Sequence, residues 1–219
     1  MKVLAFNADG TKLASGATTG EVLVSPTEVM DEDAAAAKRV TLKNTGEILG
    51  LNFSNDGLRL AVATKTAAVQ VWDLAGAKVV YAGPAPDGEV TAFARRTESN
   101  LAAIGTASGA IQVLDIAAGK VVSQWQAPGG RVLVLALSRD GQRLAAACGD
   151  RTARAWDVVT KKPIGPPIPH EGTLRTVAFS NDGHSLLSGG EDKVVKITAL
   201  DPGAAALPRT AMPWCKRSA

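Results

Sequence analysis

The sequence predicts an all-β fold assembled from small four-stranded antiparallel sheets, and three observations predict it. The pentapeptide FSNDG occupies Phe53 to Gly57 and returns at Phe179 to Gly183, with LSRDG at Leu137 to Gly141, two-thirds of the way from one copy to the other. The motifs therefore sit on one regular step. A second marker keeps the same step: VQVWDL, IQVLDI and ARAWDV place Asp73, Asp115 and Asp157 at intervals equal to the gap between LSRDG and the second FSNDG, with Trp72 and Trp156 preceding two of them. Third, runs such as VLVLAL are apolar at successive positions, which implies strands buried on both faces. A period of roughly 40 residues with a terminal Trp-Asp points to four-stranded blades. Stacked radially, each blade is sandwiched between two neighbours and only its turns meet water.

Five repeats can be counted, with first strands near Val3 to Phe6, Ile48 to Phe53, Val90 to Ala94, Val132 to Leu137 and Leu174 to Phe179. The blades are expected over about 3–43, 48–82, 90–125, 132–168 and 174–200, with 201–219 a tail or a last outer strand. Within a repeat the order is apolar run, polar turn with Gly, second run, small-residue turn, third run ending at the Trp-Asp position, and a weaker fourth. Asp-Gly between two apolar runs signals a hairpin, because Gly accepts positive φ without steric cost. It recurs as Asp9-Gly10, Asp56-Gly57, Asp140-Gly141 and Asp182-Gly183. The first repeat is longer than the others, with its excess within SPTEVMDEDAAAAKR, where a short helix or an acidic loop is expected. The third repeat has RRTESN in place of the Asp-Gly turn, so its loop is expected to differ.

Composition excludes several classes. At 219 residues, 46% hydrophobic and a net charge of +3, the chain has an ordinary globular composition. Its Lys and Arg are scattered among the acidic residues instead of forming runs, so a nucleic-acid partner is not expected. The opening MKVLAFNADG lacks a signal-peptide core and no apolar run approaches a membrane span, so neither membrane insertion nor export is expected and the cytoplasm is the expected compartment. The two cysteines, Cys148 and Cys215, lie far apart in the chain and do not form a disulfide framework; Cys148 reads as a small buried apolar residue.

No constellation of catalytic residues appears, and no cofactor or metal is expected. His170-Glu171 would need a second His at the metalloprotease spacing and has Leu174 there. Asp31-Glu32-Asp33 lacks the spaced ligands and central Gly of a calcium loop. Asn52-Phe53-Ser54 fits the glycosylation pattern but lies on an apolar strand. Phosphate-binding glycine loops, paired metal-spaced cysteines and nucleophile elbows are likewise missing.

Over roughly residues 1 to 200 the chain resembles the WD40-repeat family, most fully in HEGTLRTVAFSNDGHSLLSGGEDKVVKI of the fifth repeat. The resemblance implies a β-propeller that acts as a scaffold for protein partners, without chemistry of its own. It also implies a structural hydrogen-bond set joining a His, a Ser or Thr, an Asp and a Trp. By position the fifth repeat supplies His170, Ser188 and Asp192, but has Thr198 and Ala199 at the Trp-Asp position. The fourth supplies Asp150 and Trp156, with Pro128 and Ala146 in the other two places. Family rings usually close with about seven blades. Five blades are therefore expected to form an open or incomplete ring, the alternatives being a closed five-bladed ring and assembly with other chains. Bare end blades would be sticky, so self-association through them is expected.

The function that follows is a non-catalytic protein–protein interaction scaffold. Its rival is a regulatory or sensor segment of a larger enzyme, a kinase or a redox protein, whose catalytic part lies elsewhere. A protein or peptide partner is expected on the rim formed by the connections between blades and the turns between second and third strands. That rim presents Lys65, Arg131, Arg151, His170, Glu171, Glu191 and Lys193. The opposite side, with Arg59, Arg95, Arg96, Arg139 and Arg143, is the competing surface.

Overall fold

The computed structural model describes residues 3–28, 39–66, 68–84, 88–96 and 99–200. Among them there is no helix, and the strands form five antiparallel sheets in chain order. The first sheet holds β1 (Val3–Phe6), β2 (Lys12–Gly16), β3 (Glu21–Pro26) and β4 (Val40–Lys43). The second holds β5 (Ile48–Phe53), β6 (Arg59–Thr64), β7 (Ala68–Asp73) and β8 (Lys78–Pro84), and the third β9 (Val90–Arg95), β10 (Leu101–Thr106), β11 (Ala110–Asp115) and β12 (Lys120–Gln126). In the fourth are β13 (Val132–Leu137), β14 (Arg143–Cys148), β15 (Thr152–Asp157) and β16 (Ile168–Pro169). The fifth has β17 (Leu174–Phe179), β18 (Ser185–Gly190) and β19 (Val195–Ala199). Each sheet is a meander in which sequential strands pair.

The architecture is thus all-β and propeller-like, with one departure from five four-stranded blades: the fifth sheet has three strands among the described residues. The tail or outer strand expected over 201–219 lies outside the described residues, as does most of the helix or loop expected in the first repeat (29–38). Consecutive sheets pack through their first strands, β1 on β5, β5 on β9, β9 on β13 and β13 on β17, while the first and fifth sheets do not meet in the same way. The five sheets form an arc that is not closed into a ring.

The repeated pentapeptide is a self-contained corner. Ser54 Oγ donates to Asp56 Oδ1 (2.5 Å) and accepts from the Arg59 amide (2.9 Å), while Asp56 Oδ1 also accepts from the Leu58 amide (3.0 Å). Gly57 turns the chain at φ 64°, a left-handed conformation that side chains resist. Phe53, at the head of the motif, is buried against the first sheet. The same bonds recur at Ser138–Asp140 and Ser180–Asp182. These carboxyls titrate below the usual aspartate value. For Asp56 and Asp182 the serine hydroxyl is the main cause. For Asp140, burial pushes upward most strongly, and the Ser138 and Gln142 bonds together outweigh it. In the third repeat, which lacks Asp-Gly, Asn100 Oδ1 accepts instead from the amide of Asn55 in the second sheet (2.7 Å).

The core lies between sheets and has a polarity. On each second strand, the residues facing the next sheet are small: Ala14 and Gly16, Ala61 and Ala63, Ala103 and Gly105, Ala145 and Ala147. Into these sites project the bulky first-strand residues Ile48, Val90, Val132 and Leu174, all fully buried or nearly so. A Cβ added at Gly16 would lie 2.8 Å from Ile48 Cγ2, and one at Gly105 2.4 Å from Val132 Cγ1. Burying each Val, Leu or Ile contributes about 1.5–3 kcal/mol, so these interfaces supply most of the cohesion. Polar ties across the interfaces come from Lys12 Nζ to the Gly57 carbonyl (2.8 Å), Arg143 Nη1 to the Gly183 carbonyl (2.8 Å), and Arg59 to the Ala117 carbonyl.

Candidate functional site

One rim of the arc gathers the connections that lead from sheet to sheet and the turns between second and third strands. They are stitched by backbone bonds from Lys65 N to the Glu47 carbonyl (2.8 Å), Gly149 N to Arg131 (2.8 Å) and Glu191 N to Thr173 (2.9 Å). The turn geometry is demanding. At its left-handed position the first repeat uses Gly20 (φ 90°) and the third Gly109 (φ 96°), whereas the fourth and fifth use Arg151 (φ 64°) and Lys193 (φ 59°). A side chain there costs about 1–2 kcal/mol.

Of the seven residues expected on this rim, Lys65, Arg131, Arg151, Glu171, Glu191 and Lys193 are exposed, whereas His170 is buried. They are not one cluster. Lys65 pairs with Glu89 (3.3 Å), Arg151 Nη1 donates to the Glu171 carbonyl (3.1 Å), and Glu191 pairs with Arg175. The side chains of Arg131 and Lys193 make no hydrogen bond or ion pair among the described residues. Arg175 holds the Glu191 carboxyl below its usual value, chiefly through the hydrogen bond.

His170 lies beneath the rim and is buried. Its Nδ1 is 2.8 Å from Asp192 Oδ2 and its Nε2 2.9 Å from Ser188 Oγ, while its amide donates to the Arg151 carbonyl of the fourth sheet (2.9 Å). Asp192 also accepts from the amides of Glu171 and Val194. Burial is the strongest single influence on this carboxyl and pushes it upward; the amides and His170 together hold it below the ordinary value. Both imidazole nitrogens are therefore occupied, and no open face remains for a ligand.

In the fourth repeat Asp150 and Trp156 are not joined in that way. Asp150 is engaged by Thr152 Oγ1 (2.7 Å) and Arg154 Nη2 (2.9 Å), which outweigh burial and lower its titration. Trp156 packs on Trp125 of the third sheet with ring centres 6.0 Å apart and planes tilted by 56°. Trp72 donates its indole N–H to Asn44 Oδ1 (3.0 Å), a partner that sequence reading missed. The signal was present: Asn44 precedes Ile48 by the same interval that separates His170 from Leu174. Asp73, Asp115 and Asp157 cap the turns after the third strands, accepting from the amides of Ala75, Ala118 and Thr160. Glu89 and Arg175 also escaped notice, since nothing local marks an ion pair made between distant stretches of chain, and so did Arg154, whose partner Asp150 lies only four residues before it.

On the opposite rim, Arg59 and Arg143 are spent on neighbouring carbonyls. Cys148 is buried between the third and fourth sheets, and burial pushes its thiol up to about 11. Among the described residues no group of three His, Cys, Asp or Glu is placed to hold a metal, and no helix is long and apolar enough to cross a membrane.

An open arc of stacked meanders with a rim of exposed charged turns defines a repeat module of the propeller class. The family model described as WD domain, G-beta repeat matches residues 119–157 and 162–198, so these stretches are similar to WD40 repeats. The first match opens on β12 and runs through β15, one strand out of phase with the sheets. No curated protein matches the chain. Repeats of this family are generally non-catalytic and typically serve as protein-interaction scaffolds.

Proposed function

We propose that the chain is a non-catalytic protein–protein interaction scaffold that holds a protein or peptide partner on the rim of Lys65, Arg131, Arg151 and Lys193. The observation that carries this reading is the set of exposed cations on the turns of this rim, of which Arg131 and Lys193 make no side-chain hydrogen bond or ion pair among the described residues. On the opposite rim Lys12, Arg59 and Arg143 serve the neighbouring sheets, although Arg95 and Arg139 are exposed there as well. Arg151 and Lys193 also occupy left-handed positions where glycine would be less costly, which is consistent with side chains retained for contact. A partner segment bearing carboxylates fits the cations of this rim. The setting is read as cytoplasmic, without nucleic acid, and the bare end sheets as surfaces for self-association.

The test is selection of displayed peptides on the wild-type chain, followed by binding to an Arg131→Glu, Arg151→Glu variant of unchanged circular dichroism. Loss of at least about tenfold in affinity is expected, matching a charge-assisted contact of ~1.5–3 kcal/mol. Peptides that bind the variant equally well place the site elsewhere and reject this rim.

A further inference from the structure

Among the described residues the stacking leaves an apolar surface at each end of the arc, and the fifth sheet departs from the small forward sites of the others, with Leu187 where they carry Ala14, Ala61, Ala103 and Ala145. The fifth sheet presents forward two cross-strand rows, Ala178–Leu187–Ile197 and Thr176–Gly189–Val195, with no charged residue. The corresponding rows of the fourth sheet, Ala136–Ala145–Ala155 and Val134–Ala147–Ala153, receive Leu174, Val177 and Leu186. Nothing among the described residues fills the fifth sheet's rows, and Ile197 is 52% exposed. At the other end, the first sheet presents Leu4, Phe6, Leu13 and Leu23 on its back face. Leu4 and Phe6 are 43% and 54% exposed, although their counterparts Leu51 and Phe53 are buried against the preceding sheet.

We infer that two copies of the chain join head to tail, the back face of one copy's first sheet seating on the forward face of the other copy's fifth sheet. The contact continues the interface already built four times within the chain, with Gly189 in the place of Gly16, Ala63, Gly105 and Ala147. It rests on the reading of the end sheets as bare surfaces and is independent of the charged rim. Such a contact uses different patches on the two copies, so it propagates or closes into a ring according to the rotation between copies.

The experiment uses the full chain and two variants, Ile197→Lys to block the forward face and Phe6→Lys to block the back face; both sites are half exposed, so folding is preserved and is checked by circular dichroism. Light scattering on a sizing column is expected to give wild type a mass at least twice that of one chain, and each variant alone the mass of one chain. An equimolar mixture of the two variants is expected to give a dimer and nothing larger, because one free face remains on each. A monomeric wild type overturns the inference. So does a variant that dimerises alone, or a mixture that stays monomeric while wild type associates, since either shows pairing of like faces. A second pair, Leu187→Glu and Leu4→Glu, must give the same pattern.

Discussion

Replacing Gly105 with Ala probes the intersheet lock directly. Its added Cβ would sit 2.4 Å from Val132 Cγ1 and 2.7 Å from Val132 Cβ, well inside contact distance. Val132 is fully buried and branched at Cβ, so it cannot rotate away without meeting other core atoms. Overpacking of this kind costs about 1–3 kcal/mol. Removing a glycine from a strand returns roughly 0.5–1 kcal/mol, which leaves a net loss of about 1–2 kcal/mol. The assay is urea denaturation followed by circular dichroism, for Gly105→Ala, Val132→Ala and the double variant. Val132→Ala alone opens a cavity, but in the double variant the two changes compensate, and a favourable coupling of about 1 kcal/mol or more is expected. Gly189→Ala is the control: the nearest atom to its added Cβ is Thr176 Cγ2 at 3.3 Å, so its stability should change by less than about 0.5 kcal/mol. If Gly105→Ala is as stable as Gly189→Ala, or if the Gly105 and Val132 changes simply add, small forward sites do not lock the sheets.

Three further outcomes are expected. His170→Ala removes the two side-chain bonds to Asp192 and Ser188 and leaves both partners short of one, at a cost of about 2–4 kcal/mol in urea unfolding; a loss below about 0.5 kcal/mol would show the network to be dispensable. Acid should destabilise the fold through Asp56, Asp140 and Asp182, whose folded carboxyls titrate below 3.8. Their contribution is complete above that value and drains away as pH falls through the lower folded one, so the melting temperature should drop below about pH 4, less steeply in Ser54→Ala, and equal slopes would count against the corner bonds. Cys148, buried and with a thiol pushed up to about 11, should resist iodoacetamide at pH 8 until urea unfolds the chain; labelling of its peptide in native protein would contradict the packing of the third sheet on the fourth.

Much of the fold was legible because the signals are local. Ser-x-Asp-Gly closes a corner with atoms from one short stretch, Ser54 to Arg59, so its recurrence could be read as a hairpin wherever it stood. The continuous apolar runs named strands covered on both faces, which the intersheet clusters show. The rim was less legible. Its charged residues could be placed on turns, but their partners could not: Lys65 meets Glu89 through the packing of the second sheet on the third, Glu191 meets Arg175 through strand register, and Arg59 of the second sheet reaches Ala117 of the third repeat. In the third repeat, whose loop was expected to differ, Asn100 bonds to a different sheet where the others close an Asp-Gly corner.

By itself the sequence determined the repeat length, the strand order within a repeat and the apolar runs that are covered on both faces. These depend on turn chemistry and on the period of two in side-chain direction, both short-range. Tertiary structure alone decided which way each face looks, that Gly16, Ala63, Gly105 and Ala147 point onward to the next sheet, and that among the described residues no sheet covers the outer face at either end of the arc. Those are properties of residues a whole repeat apart in the chain brought into contact, and only the packing of one sheet on the next sets them.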